Sequence, residues 1–308
     1  MTKVLITGVA GGQGRLLARR LLQQPKRYRV AGVDREAWAR HPEGLRFHQV
    51  DVRKKGVENV IRTERPDVVV HLALIRHFGT QPATRHEVNV NGTRRLLDAA
   101  VHHGVKQFVV FSSSYVYGAL PENPSYMDEN YPLSASRTYP EVRDLTEVDM
   151  LATAYLWQYP KMTITILRPV NVLGPHVHSA ISRYLRRTYV LTVTGFNPML
   201  QFIHEDDVTE AIVVAIQKRA RGIFNVVGPG AVPLSVAIHE TGGTPVPVPE
   251  MLVRPVITQL FRFGLYGFPP RAMDFVKYPC TLDGSRFANA TKFTPKHSLE
   301  EIFASVRP

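Results

Sequence analysis

The chain of 308 residues carries 38 Lys and Arg against 26 Asp and Glu, a formal charge of +12, and 44% of it is hydrophobic. That length and apolar content suit one large α/β domain with a smaller appendage around a real core. The single Cys280 excludes an internal disulfide and a cysteine metal cluster, and no apolar run approaches the ~18 residues of a membrane span.

Of the 38 basic residues 28 are arginines, scattered without a long block and unaccompanied by a helix-turn-helix, zinc or RNA-binding signature. Nucleic acid is therefore not an expected partner. The charge is left between an arginine-rich composition and an anionic substrate. A core strand beginning at residue 3 leaves no room for a signal peptide, so a cytoplasmic protein is expected.

The first apolar run, 3–7, stops at Gly8-Val9-Ala10-Gly11-Gly12-Gln13-Gly14 and restarts at helical spacing from Arg15 to Leu22. Strand, tight turn and helix follow. Glycines at 8, 11 and 14 allow a turn, a close backbone approach and tight helix packing, which together seat a diphosphate on the helix N-terminus. A second strand, 28–33, ends at Asp34, about 20 positions past the glycines, where dinucleotide folds hold the adenosine ribose.

Strands are then predicted over 46–51, 66–73, 107–112 and 163–167, with helices over 57–62, 87–103 and 138–159. Thr138-Tyr139-Pro140-Glu141 has the form of a capping box. Strand and helix alternate, which implies a doubly wound parallel sheet with its ligand across the carboxyl ends of the strands. Residues 118–138 read as loop and 244–249 as extended. The apolar stretch 251–269, with Phe261, Phe263, Leu265, Tyr266 and Phe268, reads as a packed helix or as the lining for a hydrophobic substrate. Asp206 and Asp207 read as helix caps, and His204 as a structural hydrogen-bond partner.

Thr7-Gly8-x-x-Gly11-x-x-Gly14 resembles the fingerprint of the extended short-chain dehydrogenases/reductases, the NAD-dependent epimerase/dehydratase group. His48-Gln49-Val50-Asp51-Val52, His71-Leu72-Ala73-Leu74, Asn89-Val90-Asn91-Gly92-Thr93 and Ser112-Ser113-Ser114-Tyr115-Val116-Tyr117-Gly118 are similar to further motifs of that family. The resemblance implies a Rossmann-type domain over 1–170. A smaller substrate subdomain would occupy most of 171–308, with segments returning to the core.

It also implies NAD, in preference to NADP, held by Gly8, Gly11, Gly12, Gln13, Gly14, Asp34, Arg35, Asp51, Val52, Leu72, Ala73, Leu74, Asn89, Ser112, Tyr139 and Arg143. Tyr139 would act as acid/base, Ser113 as partner of the substrate oxygen, and Ser114 and Asn171 as substrate contacts. The family places a lysine four residues after the tyrosine; here that position is Arg143. Arginine keeps the charge but cannot give up its proton. Arg143 is then either a cofactor clamp beside Tyr139 in an oxidoreductase, or a sign that the fold binds the dinucleotide without turnover. Leu200 stands where nucleotide-sugar epimerases commonly carry an arginine, which weakens a nucleotide-sugar substrate. A homodimer is expected, built by the two long helices after the fourth and fifth strands: the stripe Leu145, Val148, Leu151, Ala152, Tyr155 and Leu156 on the second exceeds what one sheet face requires, and the resemblance implies the same.

Overall fold

The computed structural model describes residues 1–307 apart from 77–79, 141 and 264–269. Seven strands form one parallel sheet: β1 (Thr2–Thr7), β2 (Tyr28–Asp34), β3 (Arg46–Gln49), β4 (Val68–His71), β5 (Gln107–Phe111), β6 (Thr163–Pro169) and, after three strands outside this sheet, β10 (Gly222–Val226). Their spatial order is β10-β6-β5-β4-β1-β2-β3. The order reverses between β1 and β4, so the crevice above these two strands is where a doubly wound sheet takes its ligand.

Both faces of the sheet are covered, and successive residues point to opposite sides. Val4, Ile6, Val68, Val70, Val109 and Phe111 enter one buried cluster; Leu5, Val69, Phe108, Val110, Ile164 and Ile166 enter the other. Outside the main sheet, β7 (Asn171–Leu173), β9 (Met199–His204) and β11 (Ala231–Pro233) make a small mixed sheet. A parallel pair joins β8 (Tyr189–Val193) to β12 (Thr244–Val248). Among the described residues no helix is long and apolar enough to cross a membrane.

The helix expected over 138–159 begins later, at Arg143, and runs to Gln158. A short helix, Ala135–Thr138, ends where the long one was to start, and Tyr139 is extended (φ −121°, ψ 92°). Tyr139 precedes Pro140, whose ring excludes the α region for the residue before it, and that restriction overrides the capping pattern. The capping residue Glu141 lies outside the described residues. Tyr139 and Arg143 therefore do not share a helix face.

The stripe assigned to a dimer is also corrected. Val148, Ala152, Tyr155 and Leu156 are buried within the chain's own core, Leu145 in the opposite cluster, with Leu151 packed at the margin. Two buried surroundings, the sheet and the neighbouring helix Gly92–His102, account for its width. The predicted helix 87–103 starts with a π-helical turn, Glu87–Asn91, before α geometry sets in. The apolar stretch forms the helix Glu250–Arg262, while Leu265, Tyr266 and Phe268 lie outside the described residues.

Candidate active site

The turn after β1 is built from backbone that only glycine permits at two places. Gly8 has φ +72°, and a Cβ on it would stand 2.7 Å from the Ala73 nitrogen. A Cβ on Gly14 would stand 2.2 Å from the Gly8 carbonyl oxygen, so the helix Gly12–Leu22 packs directly on the turn. That helix starts without a side-chain cap. Its leading N–H groups are left for an anion at the positive end of the helix dipole.

At the end of β2, Asp34 accepts from the backbone N–H of Ala10 (2.9 Å) and of Glu36 (3.0 Å), which fixes its carboxylate beside the turn. Arg35 pairs with Glu36 at 3.1 Å. Asp51 is gripped by Arg53 at 2.6 Å, and that hydrogen bond holds its carboxyl below the usual range. Val52 is buried in the core.

The crevice holds a cavity of about 360 Å³. The glycine turn, Leu72 and Leu74 after β4, Ser112 to Tyr115 after β5, and Asn171 with His176 to Ser179 all line it. Asn89, fully buried in the π turn, donates to the Ile75 carbonyl (3.0 Å) and accepts from its N–H (2.7 Å), so it pins the segment beyond Leu74. His71 is sealed between Thr7 (2.7 Å) and Thr93 (2.8 Å), and burial pushes its pKa down to about 3.

Ser113 is half-buried on the cavity wall, and its hydroxyl oxygen accepts from the Tyr115 N–H at 3.2 Å. Ser112 turns its hydroxyl inward, donating to Asp149 at 2.6 Å. Asp149 is paired with Arg168, which donates to Tyr117, which donates to Asn225. A satisfied polar chain thus braces the floor beneath the serines. Tyr115, not singled out from the sequence, lines the cavity and donates to Asn171 at 3.1 Å.

Tyr139 and Arg143 are not brought to this wall. The Tyr139 side chain is buried, donating to the Ala119 carbonyl at 2.6 Å and lying 3.3 Å from Asp274. Its ring packs on Phe275 with centroids 4.9 Å apart. Burial, then the Asp274 charge, push the phenol pKa well above its ordinary value. Arg143 is exposed, and Val142 and Leu145 line the cavity in its place.

Among the described residues, Arg76 and Arg183 are the arginines that line the cavity. Arg76 lies over the Phe111 ring at 4.6 Å, donates to the carbonyls of Phe111 and Ser112, and burial lowers its pKa to about 10. It had no sequence signal, because it reaches the site from a segment without regular structure.

Gln13 lines the cavity with its side-chain amide donating to Thr209 (2.7 Å) and the Glu205 carbonyl (3.2 Å). Gly12 instead meets the roof: a Cβ there would stand 2.3 Å from the His176 carbonyl oxygen. Glu205 holds this roof by accepting from the N–H groups of His176 and Val177. The helix Glu205–Lys218 is capped by His204, whose Nδ1 accepts from Asp206 at 3.2 Å, and not by the aspartates. Asp207 is occupied by the N–H groups of Lys296 and His297. Leu200 is buried in the core.

The sequence profile of the NAD dependent epimerase/dehydratase family matches residues 4–227. An uncharacterized protein of Mycobacterium tuberculosis is 31% identical over 310 residues, covering 97% of this chain and 82% of that protein. The dTDP-glucose 4,6-dehydratase of Streptomyces griseus is 29% identical over 254 residues, 74% of each chain. Among solved structures, the Thermus thermophilus UDP-glucose 4-epimerase in complex with NAD superposes with a TM-score of 0.77. That match has 25% identity and covers 99% of this chain and 97% of that one. With its glycine turn, its seven-stranded sheet and a family match across residues 4–227, the chain belongs to the NAD-dependent epimerase/dehydratase family.

Proposed function

We propose that the protein binds NAD and modifies a sugar, acting on a secondary alcohol or ketone as an epimerase, dehydratase or related oxidoreductase. The observation that carries this is the juxtaposition, in one cavity, of the uncapped helix beyond the glycine turn with the Ser113 hydroxyl. The residues fit the cofactor: Gly8 and Gly14, where a Cβ would strike backbone, let the turn close under an uncapped helix start, and Asp34 is fixed beside that turn to receive ribose hydroxyls. Relatives named as a glucose dehydratase and a glucose epimerase support the substrate class.

When bound, NAD supplies hydride exchange. Ser113 holds the substrate oxygen, and Ser114 and Asn171 orient the ring. Tyr139 is the proposed proton carrier, which requires it to leave the Ala119 carbonyl and the Asp274 side, and Arg143 is the proposed cofactor clamp. A homodimer would form on the outer face of the helix Arg143–Gln158, where Met150, Ala154 and Trp157 repeat at helical spacing and stand exposed. The reading includes a cytoplasmic location and a domain division near residue 170.

A second reading is favoured by the buried, carbonyl-bonded Tyr139 and the exposed Arg143: the fold binds the dinucleotide without turnover. Incubation with NAD and a panel of UDP- and dTDP-hexoses, with products followed by NMR, separates the two. Conversion by the wild type, slowed in Ser113→Ala by roughly a hundredfold, is expected; NAD binding without conversion of any sugar favours the second reading.

A further inference from the structure

Among the described residues, eight of the twelve large apolar side chains that stand exposed fall between residues 189 and 263. Most of them gather around the helix Glu250–Arg262. Ile257 on this helix is buried, while Leu252, Val256 and Phe263, four and seven residues apart, form a stripe on the opposite side with exposures of 56, 44 and 75%. Met251, at 88%, flanks the stripe at the helix start. Phe196 joins it: its ring lies 4.5 Å from the Lys277 ammonium, which bonds Glu250 at 2.6 Å. A helix that is apolar toward solvent as well as toward its own core is missing a nonaqueous neighbour.

The charge around this face is positive in excess. The helix and the segment it packs on carry Glu250 and Asp274 against Arg254, Arg262 and Lys277, with Asp274 3.8 Å from Arg254; from 186 to 203 the sequence holds no acidic residue, against Arg186 and Arg187. Glu250 is itself neutralised by Lys277. Leu, Val, Met and Phe side chains beside an excess of cations, on a chain of net charge +12, match an anionic lipid surface better than a protein partner, whose contact would be anchored by Tyr or Trp.

We propose that the helix Glu250–Arg262 is an interfacial anchor that docks the protein on the surface of an anionic bilayer, without spanning it. The helix packs on the segment Pro270–Val276, whose Asp274 and Phe275 hold Tyr139. Docking would set that side of the site against the membrane.

The test is flotation of the full chain with vesicles of phosphatidylcholine alone, or with about a third phosphatidylglycerol. The wild type should float with the anionic vesicles only and be released by high salt. A double variant, Leu252→Asp with Val256→Asp, should lose binding by roughly tenfold or more. It should keep its melting temperature and NAD affinity, because both positions are exposed. If that variant does not fold, Met251→Asp decides the matter alone. Failure of the wild type to float, or equal flotation of wild type and variant, overturns the proposal. So does a change in oligomeric mass on substitution without any vesicle binding, which would make the face a protein contact. None of these outcomes depends on catalysis.

Discussion

Asp149 and Arg168 face each other through two hydrogen bonds, 2.6 and 2.9 Å long, with both side chains sealed from solvent beneath the serines of the cavity wall. A buried pair of this kind adds little net stability over an apolar pair, but removing one member strands the other charge. Asp149→Ala should therefore cost about 3–5 kcal/mol in urea unfolding. It should also weaken any activity through Ser112, which loses its acceptor.

Acid should destabilise the fold through His71. Its folded pKa, about 3, lies below the ordinary histidine value of 6.5, so the unfolded state takes up a proton that the native state refuses. This stability is fully present above the unfolded value and is lost progressively as pH falls from about 6.5 to about 3. Melting temperatures across that window should fall less steeply in His71→Gln than in the wild type. Equal slopes would remove His71 from the explanation.

NAD should bind more tightly than NADP. Asp34 is held by two backbone N–H groups at a position where a 2′-phosphate would meet its charge, and Arg35 is engaged by Glu36. Asp34→Asn should narrow the difference by roughly tenfold, about 1.4 kcal/mol. Titration of both cofactors into both proteins checks this, and tighter NADP binding by the wild type would contradict it.

Light scattering tests the dimer. Trp157 is 73% exposed and Met150 59%, so Trp157→Glu should give a monomer with an unchanged melting temperature if this face pairs with a second copy. A monomeric wild type at micromolar concentration would remove the dimer from the account.

Most of the sheet and the glycine turn were legible in the sequence because they are written locally: apolar runs of strand length, glycines where a Cβ has no room, and an acid at the next strand end. Two kinds of feature were not. One is competition between local rules, as at Tyr139, where the restriction before Pro140 defeats a capping pattern that points to an earlier helix start. The other is long-range: the return of β10 to the edge of the sheet beside β6, the acceptor of Ser112 on a helix 37 positions later, and the roof His176 laid on Gly12. The width of the apolar stripe on the helix Arg143–Gln158 misled for the same reason, since a second buried neighbour cannot be read from one helix's periodicity.

The most direct measurement is sugar conversion, followed by NMR, when the protein, loaded with NAD, meets a panel of sugar nucleotides and free sugars. The wild type should convert at least one of them, and Arg143→Lys should match or exceed it, since lysine restores a compact cation. Tyr139→Phe should convert none while binding NAD as tightly as the wild type. Conversion at an equal rate by Tyr139→Phe would contradict the assignment of the proton carrier. No conversion by either the wild type or Arg143→Lys across the panel, with NAD bound, would contradict the enzymatic reading itself.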